Sequence, residues 1–480
     1  MASASVPIRE TSGPGAALGV AGLALLGAAL GVGLVLGELQ ALWIALAVIG
    51  CLAVLYDFRV GAVLLILLLP ISESTLFPHE LFGLTGLNPL NLLIGATLVS
   101  FLLHGRRSGG ATAAGPFMSR PLIWLYLAPI VIAGILGSRH AQDIAPVLYE
   151  LEEIHFLDAG GYLRDVLAKP LLIVLIGLLV GAAVARSKKP EGFLVPIGVS
   201  IWLMCMVAVG YVVKSGASIA ELAGSESREF FAGIGLHAND LGRLYAVAYA
   251  FFLFAWAESR SRGFKLLCVA SMAVVTTALV LTFSRGAFVG FMVVNGLFLL
   301  WRFNAKTAAI ALLVGIALVL ALPPEVFNRA SLGFNEDANA VTAGRIDGIW
   351  LPLLPELWKS PLWGSGLGSV MWSNALRNGL MFEVTHPHSA YLEALLDVGV
   401  LGLAAYIAYF LHVWRKFRAL GSNAFLSPEL RGFYQGAAAG LLSFFVTGFA
   451  GSSFVPRPEY SFLWIAIGMM YGQLARRPAG

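Results

Sequence analysis

The chain has 480 residues, of which 58% are hydrophobic and only 12% charged, with a mean hydropathy of +0.83. Apolar surface on that scale cannot be covered by a soluble core, so a water-soluble enzyme is excluded and a polytopic membrane protein remains. The formal charge of +4 carries no nucleic-acid signal, because the basic residues are spread as short clusters between apolar runs.

In chain order, apolar runs near membrane-crossing length fall at about 15–37, 40–56, 58–72, 88–104, 121–137, 166–186, 193–213, 239–257, 264–283, 286–301, 306–322, 391–415, 432–452 and 458–475. This predicts an all-α, polytopic transmembrane helical bundle of about 12–14 spans. The first run follows Arg9 and is too long for a typical cleaved leader, so it reads as a retained anchor. The third and tenth runs are short enough to be tilted or re-entrant. Cys51, Cys205 and Cys268 lie inside apolar runs and read as packing residues.

Lysine and arginine are retained on the cytoplasmic side of a membrane. Placing the N-terminus inside collects Arg106-Arg107, Arg186 with Lys188-Lys189, Arg260 with Arg262 and Lys265, Arg415-Lys416 with Arg418, and Arg476-Arg477 on that side. Most acidic residues then fall outside. So do four polar segments at 73–88, 138–165, 214–238 and 323–390, the last a large periplasmic loop within one integral domain spanning 1–480.

Chemistry is therefore expected on the outer face. In the 138–165 segment, Glu150-Leu-Glu152 is the nearest approach to a metal-binding carboxylate pair and reads better as an interfacial turn, so no metal is expected. Lys169, heading the next span, is an anchor or a contact for an anionic carrier. His237-Ala-Asn239-Asp240-Leu-Gly-Arg243 opens a span. Asn239 or Asp240 is expected to cap that helix, and Arg243 adds a guanidinium one turn in. Arg285 is the only charge between Leu266 and Trp301 and marks an outer turn, where its planar fork suits phosphate oxygens or anchors the helix at the headgroups.

Within the large loop, Gly344-Arg345 offers another guanidinium, and 346–358 has helical spacing that Pro352 and Pro355 should break into short interfacial turns. Pro361-Leu-Trp-Gly-Ser-Gly-Leu-Gly is a compact bend without the Lys-Ser/Thr of a nucleotide-binding loop. The loop closes on His386-Pro387-His388-Ser389. His388 is a candidate proton acceptor or orienting group for a hydroxyl, with Glu393 and Asp397 on the same helix expected to orient it. Gly399 and Gly402 read as a site of close helix approach.

Together, His388-Ser389 followed after nine residues by Gly399-x-x-Gly402, Thr282-Phe-Ser284-Arg285-Gly286, Gly235-Leu-His237-Ala-Asn239-Asp240-Leu-Gly242 and Gly344-Arg345 resemble the O-antigen ligase and Wzy-type polysaccharide polymerase superfamily, membrane glycosyltransferases of the GT-C class. The chain departs from that pattern at Asp240, where a small or apolar residue is common, and in having more spans than most ligases. The resemblance implies a bacterial inner-membrane enzyme that moves a glycan from undecaprenyl diphosphate to a hydroxyl of a glycan, lipid A-core or other acceptor on the periplasmic face. It implies no cofactor. His388, Arg285 and Arg345 are then the expected catalytic residues, and Arg243, His237, Asn239, Asp240, Lys169 and His386 the expected substrate contacts. The competing class is a flippase for lipid-linked oligosaccharide, which should carry ionisable residues deep in several helices and a repeat between its halves.

Overall fold

The computed structural model describes residues 39–81, 84–105, 112–224, 230–305, 324–331, 335–451 and 453–476, with isolated positions between 308 and 316. The expected spans at 15–37 and, for the most part, 306–322 lie outside the described residues, as do Arg106 and Arg107.

The described chain is all-α apart from one two-stranded hairpin, in which Glu80–Leu81 pairs antiparallel with Leu84–Thr85. Its apolar helices are α1 (Leu39–Tyr56), α2 (Phe58–Leu68), α3 (Pro89–Ser100), α4 (Ala128–Gly137), α5 (Lys169–Arg186), α6 (Leu194–Ser215), α7 (Ala238–Glu258), α8 (Arg262–Leu281), α9 (Arg285–Trp301), α10 (Ala390–Gly421), α11 (Pro428–Thr447) and α12 (Ser461–Ala475). Among the described residues, six helices with their flanking turns are long and apolar enough to cross a membrane, as in a multi-pass membrane protein. The expected run at 58–72 yields only 11 helical residues in α2, roughly 16 Å of rise against about 30 Å of hydrocarbon. α9 is likewise among the shorter apolar helices.

The bundle centres on α7, which is buried along most of its length from Leu241 to Ala255 and packs against α8, α9 and α11. Small residues set those distances. A Cβ at Gly432 of α11 would lie 2.5 Å from the Ala255 Cα, and one at Gly177 of α5 would lie 2.7 Å from the Trp464 carbonyl oxygen of α12. Close backbone approach of this kind drives helix association in lipid, where apolar side chains gain little by leaving the solvent.

The connection before α10 carries short helical turns. As its prolines predict, 346–359 is one interrupted element: Ile346–Trp350, then Leu351–Leu353, then Leu354–Lys359. The bend that follows makes a contact the sequence does not foretell. Gly399 has φ 68° and ψ −174°, so α10 is broken there. Backbone groups freed by the break pair with the bend: Val400 N donates to Pro361 O (2.9 Å), Leu401 N to Leu362 O (3.2 Å), Ser365 N to Leu396 O (2.8 Å) and Gly366 N to Asp397 O (3.0 Å). A side chain at Gly399 would overlap the Leu362 carbonyl, and one at Gly364 the Asp397 carbonyl. Gly399 thus admits a loop into a helix break, and Gly402 makes room for the Val398 side chain across that break, correcting the expectation of two helices approaching.

Candidate active site

Three helix starts meet at one end of the bundle. At α7 the cap is His237, not Asn239 or Asp240: Asn239 N donates to His237 Nδ1 at 3.2 Å, which leaves the Asn239 and Asp240 side chains for other partners. At α9 the cap is Ser284, which accepts from Ala287 N and donates its hydroxyl to Asn239 Oδ1 at 2.7 Å. Gly242 makes that junction possible, since any side chain there would overlap Ala287. At α10 the cap is Ser389, directly after His388. Trp350 Nε1 donates to Pro387 O at 2.8 Å and fastens the interfacial turns to the His-Pro-His segment.

A cavity of about 300 Å³ opens among these starts. His237, Asn239, Asp240 and Arg243 line it from α7, Arg345 and Glu383 from the large loop, His386 and His388 from the approach to α10, and Arg457 from the turn before α12. Seven of the residues expected from sequence are therefore brought together. Arg285 is not in this lining; it is the first residue of α9, next to the Ser284 that holds Asn239. Lys169 is elsewhere, ion-paired to Asp165 at 2.6 Å with a largely exposed side chain.

The electrostatics are built from paired charges. Arg243 is 7% exposed, and its Nη2 donates to Asp240 Oδ1 (2.5 Å) and Glu459 Oε2 (3.2 Å), while its buried Nε has no hydrogen-bond partner. Arg345 Nη1 donates to the Ala450 carbonyl at 3.3 Å. Arg457 lies 3.6 Å from Glu393. Burial opposes its charge, but Glu393, Glu459 and Asp240 outweigh that and hold its pKa above the ordinary arginine value.

The rings of His386 and His388 meet edge to face at 4.2 Å. Burial, with Arg457 and His388 alongside, pushes the His386 pKa well below the usual imidazole value, so this ring is neutral at pH 7. A neutral imidazole beside guanidinium groups can donate or accept a hydrogen bond while those groups hold an anion.

The two carboxylates expected to orient His388 also hold other groups. Asp397 accepts from Gly368 N (2.9 Å), Ser369 N (3.0 Å) and the Ser369 hydroxyl (2.7 Å), which pins the glycine-rich bend. Glu393 faces Arg457. The sequence reading missed Arg457 and Glu459, although Pro456-Arg457-Pro458-Glu459 is a signal: one charge between two prolines and a second directly after them, in a turn between apolar helices.

Backbone conformation marks the same places. Among the described residues the non-glycine positions with positive φ are Glu152 (57°), Phe283 (47°), Ala343 (59°) and His388 (52°). Each is a lining residue or lies within two residues of Glu153, Arg285 or Arg345. Left-handed backbone at residues with a Cβ is costly and persists where surrounding structure enforces it, a pattern that concentrates at functional sites.

A search of curated proteins finds no match. Residues 270–407, from within α8 through the large loop into α10, match the family model described as O-antigen ligase.

Proposed function

Because this chain carries an O-antigen ligase family domain, we propose that it transfers a glycan from undecaprenyl diphosphate to an acceptor hydroxyl on the periplasmic face of the bacterial inner membrane. The observation that carries this reading is the convergence of Arg243, Arg345 and Arg457 with His386 and His388 in one cavity at the helix starts. A diphosphate leaving group gains negative charge as the glycosyl bond breaks, and guanidinium groups already in place stabilise that charge without reorganising. At an effective dielectric near 20 each close ion contact is worth about 4 kcal/mol, so small differences between ground and transition state are enough to matter.

In this reading Arg345 and Arg243 grip the diphosphate, with Arg457 joining them and Arg285 acting from the head of α9. His388 receives the proton of the incoming hydroxyl or fixes its direction. His237, Asn239 and Asp240 hold the arginines and the α7 start in register, and His386 presents a neutral donor or acceptor. Attack from the face opposite the diphosphate inverts the anomeric centre. The energy comes from the cleaved glycosyl-diphosphate bond, and no step is assigned to a metal or a nucleotide.

The test is a purified chain in lipid nanodiscs given glycan linked to undecaprenyl diphosphate, together with acceptor extracted from cells lacking the chain. Release of undecaprenyl diphosphate together with glycan covalently joined to acceptor is expected. Movement of an intact lipid-linked glycan across a bilayer, without a new glycosidic bond, would replace the enzyme by a transporter.

A further inference from the structure

Behind the His386 wall lies a second cavity, of about 260 Å³. It shares Glu153, Thr385, His386 and Arg457 with the first, so the two volumes meet at the same side chains. Its lining is more acidic: where the first cavity sets Glu153, Asp240 and Glu383 against three arginines, here Asp165, Glu393 and Asp397 join Glu153, with Arg457 as the cation. Carboxylates repel a diphosphate and accept hydrogen bonds from sugar hydroxyls.

The carboxylates are not equivalent. Asp397 is filled by the Gly368 and Ser369 donors, and Asp165 by Lys169 and Arg164. Glu393 is 6% exposed and holds Arg457 by one oxygen at 3.6 Å, the Ser453 hydroxyl is a neighbour of the carboxylate, and its buried Oε2 makes no hydrogen bond of good geometry. An unsatisfied buried carboxylate oxygen opposes folding, and such groups in native proteins call for a functional reason.

We propose that this second cavity is the acceptor site and that Glu393 Oε2 accepts a hydrogen bond from a hydroxyl of the acceptor sugar. The inference rests on the transfer reading above. Arg457 then touches both substrates' sites, with the diphosphate on one side and the Glu393 carboxylate on the other. The reacting hydroxyl enters past the His386 wall toward His388.

The experiment uses the whole chain in nanodiscs with two readouts: affinity for undecaprenyl diphosphate, and transfer as a function of added envelope glycolipid extracted from cells lacking the chain. E393Q should keep diphosphate affinity within threefold of wild type while raising the glycolipid needed for half-maximal transfer at least tenfold, with E393D in between. V455W, which fills the same cavity from its lining, should suppress transfer with diphosphate affinity retained, and it serves if E393Q does not fold. Wild-type glycolipid dependence in E393Q or V455W overturns the proposal, as does a loss of diphosphate affinity equal to the loss of transfer. Failure of the wild-type chain to bind the diphosphate or to transfer at all overturns the transfer reading instead.

Discussion

The two ends of the bundle use the same residue types to opposite effect. At one end Glu258, closing α7, accepts from Arg302 and from Arg431 (3.1 Å), Arg418 lies 4.1 Å over the Trp301 ring, and Arg476 donates to the Val184 carbonyl (3.3 Å) that ends α5. These are clasps between helix ends. At the other end Glu459, Asp240 and Glu393 hold Arg243 and Arg457, yet those arginines also line cavities. Arg457 keeps 35% of its side-chain surface despite its depth, because it faces volume and not packed atoms. An arginine inside a membrane protein is thus read by what lies beyond its partner, which sequence alone does not reveal.

Substitutions should separate the ends sharply. The largest effects belong to His388→Ala and Arg345→Ala: transfer should fall about 10²–10⁴-fold, with melting temperature in detergent close to wild type. Undiminished turnover in both would move the site away from the cavity. Arg285→Ala should behave similarly and Arg285→Lys should restore only part of the rate, since a point charge does not replace a planar fork; equal rates for lysine and arginine would reduce Arg285 to a headgroup anchor.

Next in size is Gly399→Ala, which places a Cβ against the Leu362 carbonyl at a φ of 68°. A loss of several kcal/mol, about 2–4, is expected from steric overlap and left-handed strain together, seen as a lowered thermal midpoint and poor recovery of folded protein. Glu258→Gln, at the clasped end, should cost about 1–3 kcal/mol while transfer per folded molecule stays unchanged. A specific loss of rate there would erase the distinction between the two ends.

The smallest effect concerns pH. His386 binds its proton less readily folded than unfolded, so below the ordinary imidazole value of 6.5 the unfolded chain takes up a proton that the folded chain refuses. Stability should therefore fall as pH drops from 6.5 toward the depressed folded value and be flat above it, and His386→Asn should remove that part of the slope. An unchanged slope in the variant would assign it to other groups.

Most of the bundle was legible because hydrocarbon imposes run lengths and places lysine and arginine, so the helices from α1 to α12 fall on expected runs. The residues of the cavity were legible for a related reason: polar groups at the heads of apolar helices stand out against a sparse background. What sequence did not carry was backbone conformation and pairing. Phe283 and Ala343 have no composition signal for positive φ, and a histidine is an uncommon cap, so Asn239 looked the better one. Gly399 looked like a packing glycine because its partner is a loop backbone over thirty residues earlier in the chain. Arg457 and Glu459 were passed over because their turn is short and sits apart from the large loop.

The break at Gly399 divides α10 into parts with different allegiances. Above it, the stretch that begins at Ser389 is stitched to the bend at 361–368 through Leu396 and Asp397; below it, Tyr406, Tyr409 and Phe410 are locked among the aromatic rings of the bundle core. The same bend also reaches below the break, through Val400 and Leu401, and is held to the bundle where Leu367 N donates to Ala133 O of α4 (3.1 Å), while Tyr391 beside the α10 start donates to Phe445 O of α11 (3.0 Å). The position of His388 relative to Arg243 is thus fixed by backbone bonds on both sides of one glycine, so a substitution at Gly399 is felt at the cavity as well as in the helix.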